Sequence, residues 1–159
     1  MSDLDLSQLL LREDIGESYE AVVRAAAGAV GAEVCHLVLY DRQTQELISR
    51  RSRTGSAGSD GPAPYRFPLE SSPASALVVR TAAPHVSNDP ASDPLYDAAV
   101  AERGLRSIMT VPVMREDQVV GLVYALNKPG GFGQDDARAL MAAAASLGVA
   151  LENLQLWAE

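Results

Sequence analysis

The stretch GLRSIMTVPVMREDQVVGLVYALNKPGGFGQDDARAL, residues 104–140, carries the strongest structural signal in the chain. It contains two apolar runs, 107–113 and 119–126, joined by the charged turn RED, and this pattern predicts a β-hairpin. The segment NKPGG then ends the second strand. Asp135 and Asp136 follow at the start of a long alanine-rich segment, where carboxylates favour the positive end of a helix dipole. The stretch therefore predicts strand, turn, strand, loop and helix in that order.

The rest of the chain supplies the other elements of one domain. An apolar segment at 1–15 is expected to be separate from a single domain at 16–159, because Gly16 interrupts the pattern before a helix that begins at about Glu17. Glycines and prolines predict a long loop at 54–64. Periodicity and turn residues predict further helices at 17–30, 73–81 and 96–103, and further strands at 34–40, 46–53, 65–69 and 85–87.

The last strand has one face of small residues and one of larger residues. Gly121, Val123 and Ala125 alternate with Leu122, Tyr124 and Leu126. We expect the alanine-rich terminal helix to pack on the small face, because small side chains allow close approach. The segment 54–104 is then left to cover the other face. The predicted fold class is α+β, with a central antiparallel sheet, the N- and C-terminal helices on one face, and short helices and loops on the other.

Composition limits the function classes. The 159 residues are 47% hydrophobic, which is enough for one core, and the net charge of −8 argues against nucleic-acid binding. No run is long and apolar enough to cross a membrane, and the N-terminus does not resemble a signal peptide. Cys35 is the single cysteine, so an intramolecular disulfide is excluded. We expect a cytoplasmic protein with no membrane partner.

The chain resembles the GAF domain, the regulatory sensor module of phosphodiesterases, phytochromes and bacterial signalling proteins. GAVGAEVCHLVLYDRQTQELIS is similar to the first helix end and first hairpin of the family, PHVSNDPASDP to its middle loop, and ALENLQLWAE to the helix that leads to an output domain. The structural motif of the family is matched by Asn127, Lys128, Phe132 and Asp136, whereas Ala137 stands where the family has Glu. The resemblance implies the GAF-like arrangement of sheet and helices, and an ion pair between Lys128 and Asp136 that ties the last strand to the terminal helix.

The resemblance and strand alternation together predict which side chains face a ligand. On the first strand, Cys35, Leu37 and Leu39 are expected to face the helices. The side chains expected on the ligand side combine apolar groups with four hydrogen-bonding groups, which suits a small organic or heterocyclic ligand. The alternative is a plain core in which His36 and Tyr40 are satisfied internally. The pocket candidates are His36, Val38, Tyr40, Ile108, Thr110, Tyr124 and Leu126.

No catalytic residue, metal site or known cofactor is predicted. Covalent bilin attachment is disfavoured, because Cys35 lies in the first strand, whereas phytochrome-type relatives carry the cysteine later in the chain. Cyclic nucleotides are disfavoured because the motif is mainly architectural and lacks its last acid. The GAF-fold enzyme free methionine-(R)-sulfoxide reductase uses several cysteines, and this chain has one. His36 and His85 are expected to lie apart, so neither a hydrolase triad nor a histidine metal site is supported.

The terminal helix carries a heptad row of Leu140, Ala144, Leu147, Leu151 and Leu154. Within one domain this row could pack on the first helix. Because the segment reaches Trp157, beyond what the predicted sheet covers, we expect a parallel homodimer through the terminal helices. The expected function is a non-catalytic sensor that binds a small molecule or partner and relays the event through the dimer helices to an output protein or domain, in cis or in trans. The alternative is a dimerisation or protein-docking adaptor without a small ligand.

Overall fold

The computed structural model describes residues 13–49, 65–97 and 102–158, and within them the side chains of 21–49, 66–97 and 102–149. The described residues form three α-helices, six β-strands and two 3-10 turns. The helices are α1 (Glu13–Val30), α2 (Pro73–Thr81) and α3 (Gln134–Ala158). The strands are β1 (Val34–Asp41), β2 (Glu46–Ser49), β3 (Tyr65–Pro68), β4 (His85–Ser87), β5 (Ile108–Arg115) and β6 (Gln118–Leu126), and the 3-10 turns are Leu69–Ser71 and Pro90–Ser92.

The six strands form one antiparallel sheet in the order β3-β2-β1-β6-β5-β4. The hairpin predicted from residues 104–140 is β5 and β6, and its register shifts between Val113 and Met114. The other predicted hairpin is β1 and β2. Pairing of β1 with β6 joins the two hairpins at the middle of the sheet. The predicted α+β class and antiparallel sheet are therefore confirmed.

Helices α1 and α3 cover one face of the sheet, as alternation along β6 predicted. Val123 and Ala125 of β6 lie in this core together with Cys35 and Leu37 of β1. Burial raises the pKa of the Cys35 thiol to about 12, so the thiol stays protonated at neutral pH. The helical side of this core comes from α1 and α3 at Val23, Ala26, Val30, Leu140, Ala144 and Leu147.

The opposite face is covered by α2 and the 3-10 turn before it. Val38, Tyr40 and Leu122 of the sheet pack with Leu69 of the turn and Val78 of α2. Burial of these apolar side chains is what holds the short middle elements on the sheet, since each is too short to be stable alone. The division into a helical face and a face covered by short elements matches the sequence prediction.

Two element boundaries differ from the prediction. The first helix begins at Glu13, so Gly16 lies inside α1 and does not break it. A single interior glycine costs a helix only about 1 kcal/mol, which packing on the sheet offsets. A helix was also predicted at 96–103. Tyr96, Asp97 and residues 102–103 are turn or irregular, so neither described end of that segment is helical, and 98–101 lie outside the described residues. Residues 50–53 of the second predicted strand, and the loop at 54–64, also lie outside them.

Candidate ligand-binding site

Four polar side chains stand in one row across the middle of the sheet. His36 of β1 is opposite Tyr124 of β6, and Tyr124 is opposite Thr110 of β5. Thr110 is in turn opposite His85 of β4. Directly opposed residues share a face of an antiparallel sheet, so this row lies on the α2 side. Both histidines therefore belong to one face, although the sequence placed His85 beside a separate surface loop.

The predicted pocket residues divide into an apolar and a polar group. Val38 and Tyr40 are filled core, packed under α2. Ile108 and Leu126 are paired at the end of the β5–β6 hairpin, where Ile108 is buried. The polar group is His36, Thr110 and Tyr124, which register brings together as described above. Hydrogen-bonding capacity is thus concentrated toward the β4–β5 edge and away from Val38 and Tyr40.

The Tyr124 hydroxyl is connected to the start of α2. It lies 2.7 Å from Ser75 Oγ. The Ser72 hydroxyl donates a hydrogen bond of 2.8 Å to the same Ser75 oxygen. Ser75 is buried, so this chain of hydroxyls fixes α2 over the polar row.

Three buried polar atoms cluster at the β4–β5 edge without a hydrogen-bond partner among the described residues. They are His85 Nε2, Tyr96 Oη and Thr110 Oγ1. His85 and Thr110 are strand partners, and the rings of His85 and Tyr96 lie 6.3 Å apart between centroids. The Thr110 hydroxyl is near enough to Tyr96 to influence its pKa, yet neither hydroxyl reaches hydrogen-bond geometry. Buried polar atoms are normally paired, so three of them without a partner in one place make this edge of the sheet a candidate site.

Asp93 is the acidic neighbour of this cluster. Its Oδ2 lies 3.6 Å from His85 Nε2, and its Oδ1 accepts the Leu95 N–H at 2.9 Å. The Leu95 N–H, with help from Ser87 and His85, lowers the Asp93 pKa, so the carboxyl is ionised at neutral pH. Desolvation raises the pKa of Tyr96 to about 12, so its phenol is neutral. Desolvation also lowers the pKa of His36, which favours its neutral form.

The predicted structural motif ties the last strand to α3. Lys128 Nζ and Asp136 Oδ1 are 2.6 Å apart, which is the ion pair that the resemblance implied. The other Asp136 oxygen accepts the Gly133 N–H at 2.8 Å, just before α3 begins. This bond satisfies a backbone donor that the helix start would leave free. Phe132 is buried in the core shared with α3.

Asn127 anchors the segment that leads into β5. Its Oδ1 accepts the Arg106 N–H at 2.7 Å, and its Nδ2 donates to the Gly104 carbonyl at 2.9 Å. Asn127 also has a φ of 60°. Asparagine tolerates this left-handed conformation better than most residues with a Cβ. One residue therefore supplies both the sharp turn after β6 and the anchor for the chain opposite it.

Asn88, at the end of β4, holds the loop before α3. Its Oδ1 accepts the Phe132 N–H at 2.8 Å, and its Nδ2 donates to the Phe132 carbonyl at 3.1 Å. The side chain therefore acts like a paired backbone strand. Asn88 follows β4, whose first residue is His85, so this pair of hydrogen bonds connects the orphan cluster to the start of α3.

The heptad row on α3 requires a correction. Leu140, Ala144 and Leu147 are buried in the core of this chain and are not available to a second copy. The side chains of Leu151 and Leu154 lie outside the described residues. A heptad period marks the face of a helix that is buried, but it does not say whether the sheet or another helix buries it. The dimer seam predicted from this row is therefore wrong at its first three positions.

Sequence reasoning missed His85, Tyr96 and Asn88. The register of β4 on β5 places His85 opposite Thr110, and a strand of three residues gives too little pattern to reveal that register. Tyr96 was assigned to a helix. Asn88 lies in a stretch rich in turn residues, and its partner is 44 positions away. Within the described residues, no group of three or more His, Cys, Asp or Glu could hold a metal ion, and no helix could cross a membrane.

Comparison with known proteins assigns the fold family. The family model for the GAF domain matches residues 13–152, which is most of the chain. The chain belongs to the GAF domain family. No curated protein matches it in the comparison of sequences.

Solved structures with the GAF fold resemble the chain at low sequence identity. The GAF domain/HD domain protein from Geobacter sulfurreducens is 18% identical, with 96% of this chain and 99% of that chain covered and a TM-score of 0.73. The GAF domain of a two-component sensor histidine kinase from Bacillus halodurans is 18% identical, with 94% and 99% covered and a TM-score of 0.71. The type II free methionine-R-sulfoxide reductase from Thermoplasma acidophilum is 15% identical, with 91% and 93% covered and a TM-score of 0.61. At such identities these likenesses establish the fold, and the fold is shared by regulatory domains and by an enzyme.

Proposed function

We propose that this GAF domain is a non-catalytic cytoplasmic sensor that binds a small molecule on the α2 side of the sheet. The binding event changes the position of α3 and reaches an output protein or domain through it. The pair of hydrogen bonds between Asn88 and Phe132 carries the proposal. These bonds are a direct connection between the strand that bears His85 and the loop that starts α3.

The connection is short and stiff. Phe132 is buried, and two positions after it Gln134 begins α3. Lys128 and Asp136 brace the same turn from the β6 side. A displacement of β4 therefore moves the Phe132 backbone relative to β6, and α3, which begins two residues later, changes its position on the sheet. A ligand shifts this equilibrium only by its preference for one of the two arrangements.

A second copy of the chain is the proposed recipient of that motion. The outward face of α3 carries Ala142, Ala145 and Val149, spaced by three and four positions, and all three are exposed. The Val149 residue is 59% exposed, the most of the large hydrophobic residues described as exposed. This row replaces the buried row that the sequence predicted. Val149→Arg is expected to convert a dimer to a monomer in analytical ultracentrifugation, and a monomeric wild-type chain at micromolar concentration would refute this part.

Distance measurements between two copies test the relay. A spin label on Ser146→Cys, an exposed position beside the row of Ala142, Ala145 and Val149 and not in it, reports the separation of the two α3 helices. Cys35 stays unlabelled because its protonated thiol is buried. A compound found by thermal-shift screening should change the distance distribution in the labelled chain. Adding Asn88→Ala should leave binding in place and abolish the change. An unchanged distribution on saturation with a stabilising compound would sink the proposed relay.

A docking adaptor without a small ligand is the second candidate. Val38 and Tyr40 are packed under Leu69 and Val78, so this part of the expected pocket wall is filled by the chain's own side chains. Such filling favours an adaptor over a sensor at this end of the sheet. Screening against nucleotides, haem and metabolites that produces no stabilisation would favour the adaptor.

A further inference from the structure

We infer that His85, Tyr96 and Thr110 form the polar subsite of the ligand pocket, and that this subsite takes an uncharged head group of the amide or lactam type. The inference rests on the proposed function, because it names the ligand chemistry of the same face. It places the subsite at the β4–β5 edge and specifies that the ligand's head group is uncharged.

The three orphan atoms converge from separate elements of the fold. His85 comes from β4, Thr110 from β5 and Tyr96 from the loop that follows the second 3-10 turn. Strand register opposes His85 to Thr110, and Tyr96 is close to both. Thr110 is only 1% exposed, so bulk water does not satisfy its hydroxyl. Leaving such groups unpaired costs stability, which a ligand that pairs them would recover.

The cluster can both donate and accept hydrogen bonds. The two hydroxyls each donate or accept, and the imidazole nitrogen does one or the other. An amide presents a carbonyl acceptor beside an N–H donor in one plane. The carbonyl can accept from Tyr96 and Thr110 while the N–H faces His85. A purely apolar ligand would leave all three atoms unpaired.

The Asp93 carboxylate beside the cluster limits the charge that a head group can carry. An anionic head group would meet the Asp93 carboxylate, which stays ionised 3.6 Å from His85 Nε2. A cationic head group offers hydrogen-bond donors only, so the protons of the Tyr96 and Thr110 hydroxyls would find no acceptor on it, and it would compete with His85 for the Asp93 carboxylate. Asp93 already accepts the Leu95 N–H and has His85 beside it. The cluster therefore favours a neutral ligand over either ion.

The test uses three probes of one shape and different charge: benzamide, benzoate and benzylamine. Each is titrated into the full chain and followed by amide chemical shifts in NMR. Benzamide should move the resonances of Val86 and Met109, which lie beside the cluster in β4 and β5, and should bind at least about tenfold more tightly than the two ions. Equal or tighter binding of benzoate or benzylamine would overturn the charge assignment. No binding of benzamide at millimolar concentration would overturn the inference.

Two variants separate a ligand site from a structural one. Thr110→Val and Tyr96→Phe keep the shape and remove the orphan hydroxyls. Each should raise the melting temperature of the ligand-free chain, because an unpaired buried group is removed, and each should weaken benzamide binding. A fall in the melting temperature of both variants would show that the hydroxyls already have partners, and would overturn the inference.

Failure of this inference differs from failure of the relay. If benzamide binds at the cluster and the α3 distance does not change, the subsite stands and the proposed signalling fails. If benzamide does not bind, but a different compound binds beside His36 and changes the distance in the wild-type background and not with Asn88→Ala, the relay stands and the subsite is refuted.

Discussion

Two helical glycines should respond to the same substitution with opposite signs. A Cβ built on Gly148 in α3 would collide with the Met114 carbonyl oxygen of β5, where the sheet register shifts. A Cβ on Gly28 in α1 would meet nothing within 4 Å. Alanine is the better helix former at both positions by about 1 kcal/mol. The difference between the two sites is therefore a measure of how closely α3 is packed on the sheet.

The cost at Gly148 follows from the atom that is hit. Met114 presents a backbone oxygen of the sheet, which cannot rotate away as a side chain would. A carbon normally stays about 3.3–3.6 Å from a carbonyl oxygen, so α3 must lift by about 1 Å. The lift loosens the core around Leu147 and Val113, which are both buried. Overpacking of this kind costs up to about 3 kcal/mol, so after the gain in propensity Gly148→Ala should lose about 2 kcal/mol.

Urea unfolding of the two variants and the wild type measures the effect. Gly28→Ala should gain about 1 kcal/mol, which places the variants about 3 kcal/mol apart. The m-values should agree with that of the wild type, so that a change in midpoint reports stability alone. If both variants shift in the same direction, helix propensity governs Gly148 and the argument from close packing is refuted.

Three further perturbations follow from the contacts described above. Asn88→Ala removes both hydrogen bonds to the Phe132 backbone and should cost about 1–3 kcal/mol in urea unfolding. Asp89→Ala, at an exposed neighbour whose side chain makes no cap, should stay within about 0.5 kcal/mol, and equal effects would refute a structural role for the two Asn88 hydrogen bonds. Burial lowers the pKa of His36 below 6.5, so the unfolded chain binds a proton more readily and wild-type stability should fall as the pH drops below 6.5. In thermal melts between about pH 7.5 and 5.5, His36→Gln should lose less stability than the wild type. Parallel curves of melting temperature against pH would contradict this. Asp136→Asn should cost about 1 kcal/mol of stability at neutral pH, because Lys128 holds the pKa of the Asp136 carboxyl low. The difference in stability from the wild type should shrink as the pH falls below 3.8, where the carboxylate becomes protonated. A difference that stays constant with pH would mean that the ion pair contributes nothing.

Alternation and turn chemistry were enough to predict the sheet faces. The small residues of β6 identified the helical side, because strand side chains alternate strictly and only one face of β6 allows close packing. The limits of helix α2 were also predicted, since Ser72 and Pro73 mark its start. These features depend on neighbours in sequence, which a single chain shows directly.

The features that the sequence did not reveal depend on distant partners. The row from His36 to His85 needs the register of three strand pairs, and an error in any one of them separates the histidines. The two hydrogen bonds between Asn88 and Phe132 form only when two loops that are distant in sequence meet. The heptad row on α3 was assigned to the wrong partner for the same reason. Local pattern identifies a buried face, and tertiary structure decides what buries it.

The order of the strands also has a consequence for how the chain is made. The hairpins β1–β2 and β5–β6 are local, but Val34 pairs with Leu126, so the middle of the sheet joins segments from opposite ends of the domain. Long-range pairing of this kind is slow because a large loop must close first. During synthesis we expect β1 to remain unpaired on its β6 side until residues 118–126 have left the ribosome. Nascent chains arrested before that point should stay sensitive to protease, and those arrested well after it should become resistant.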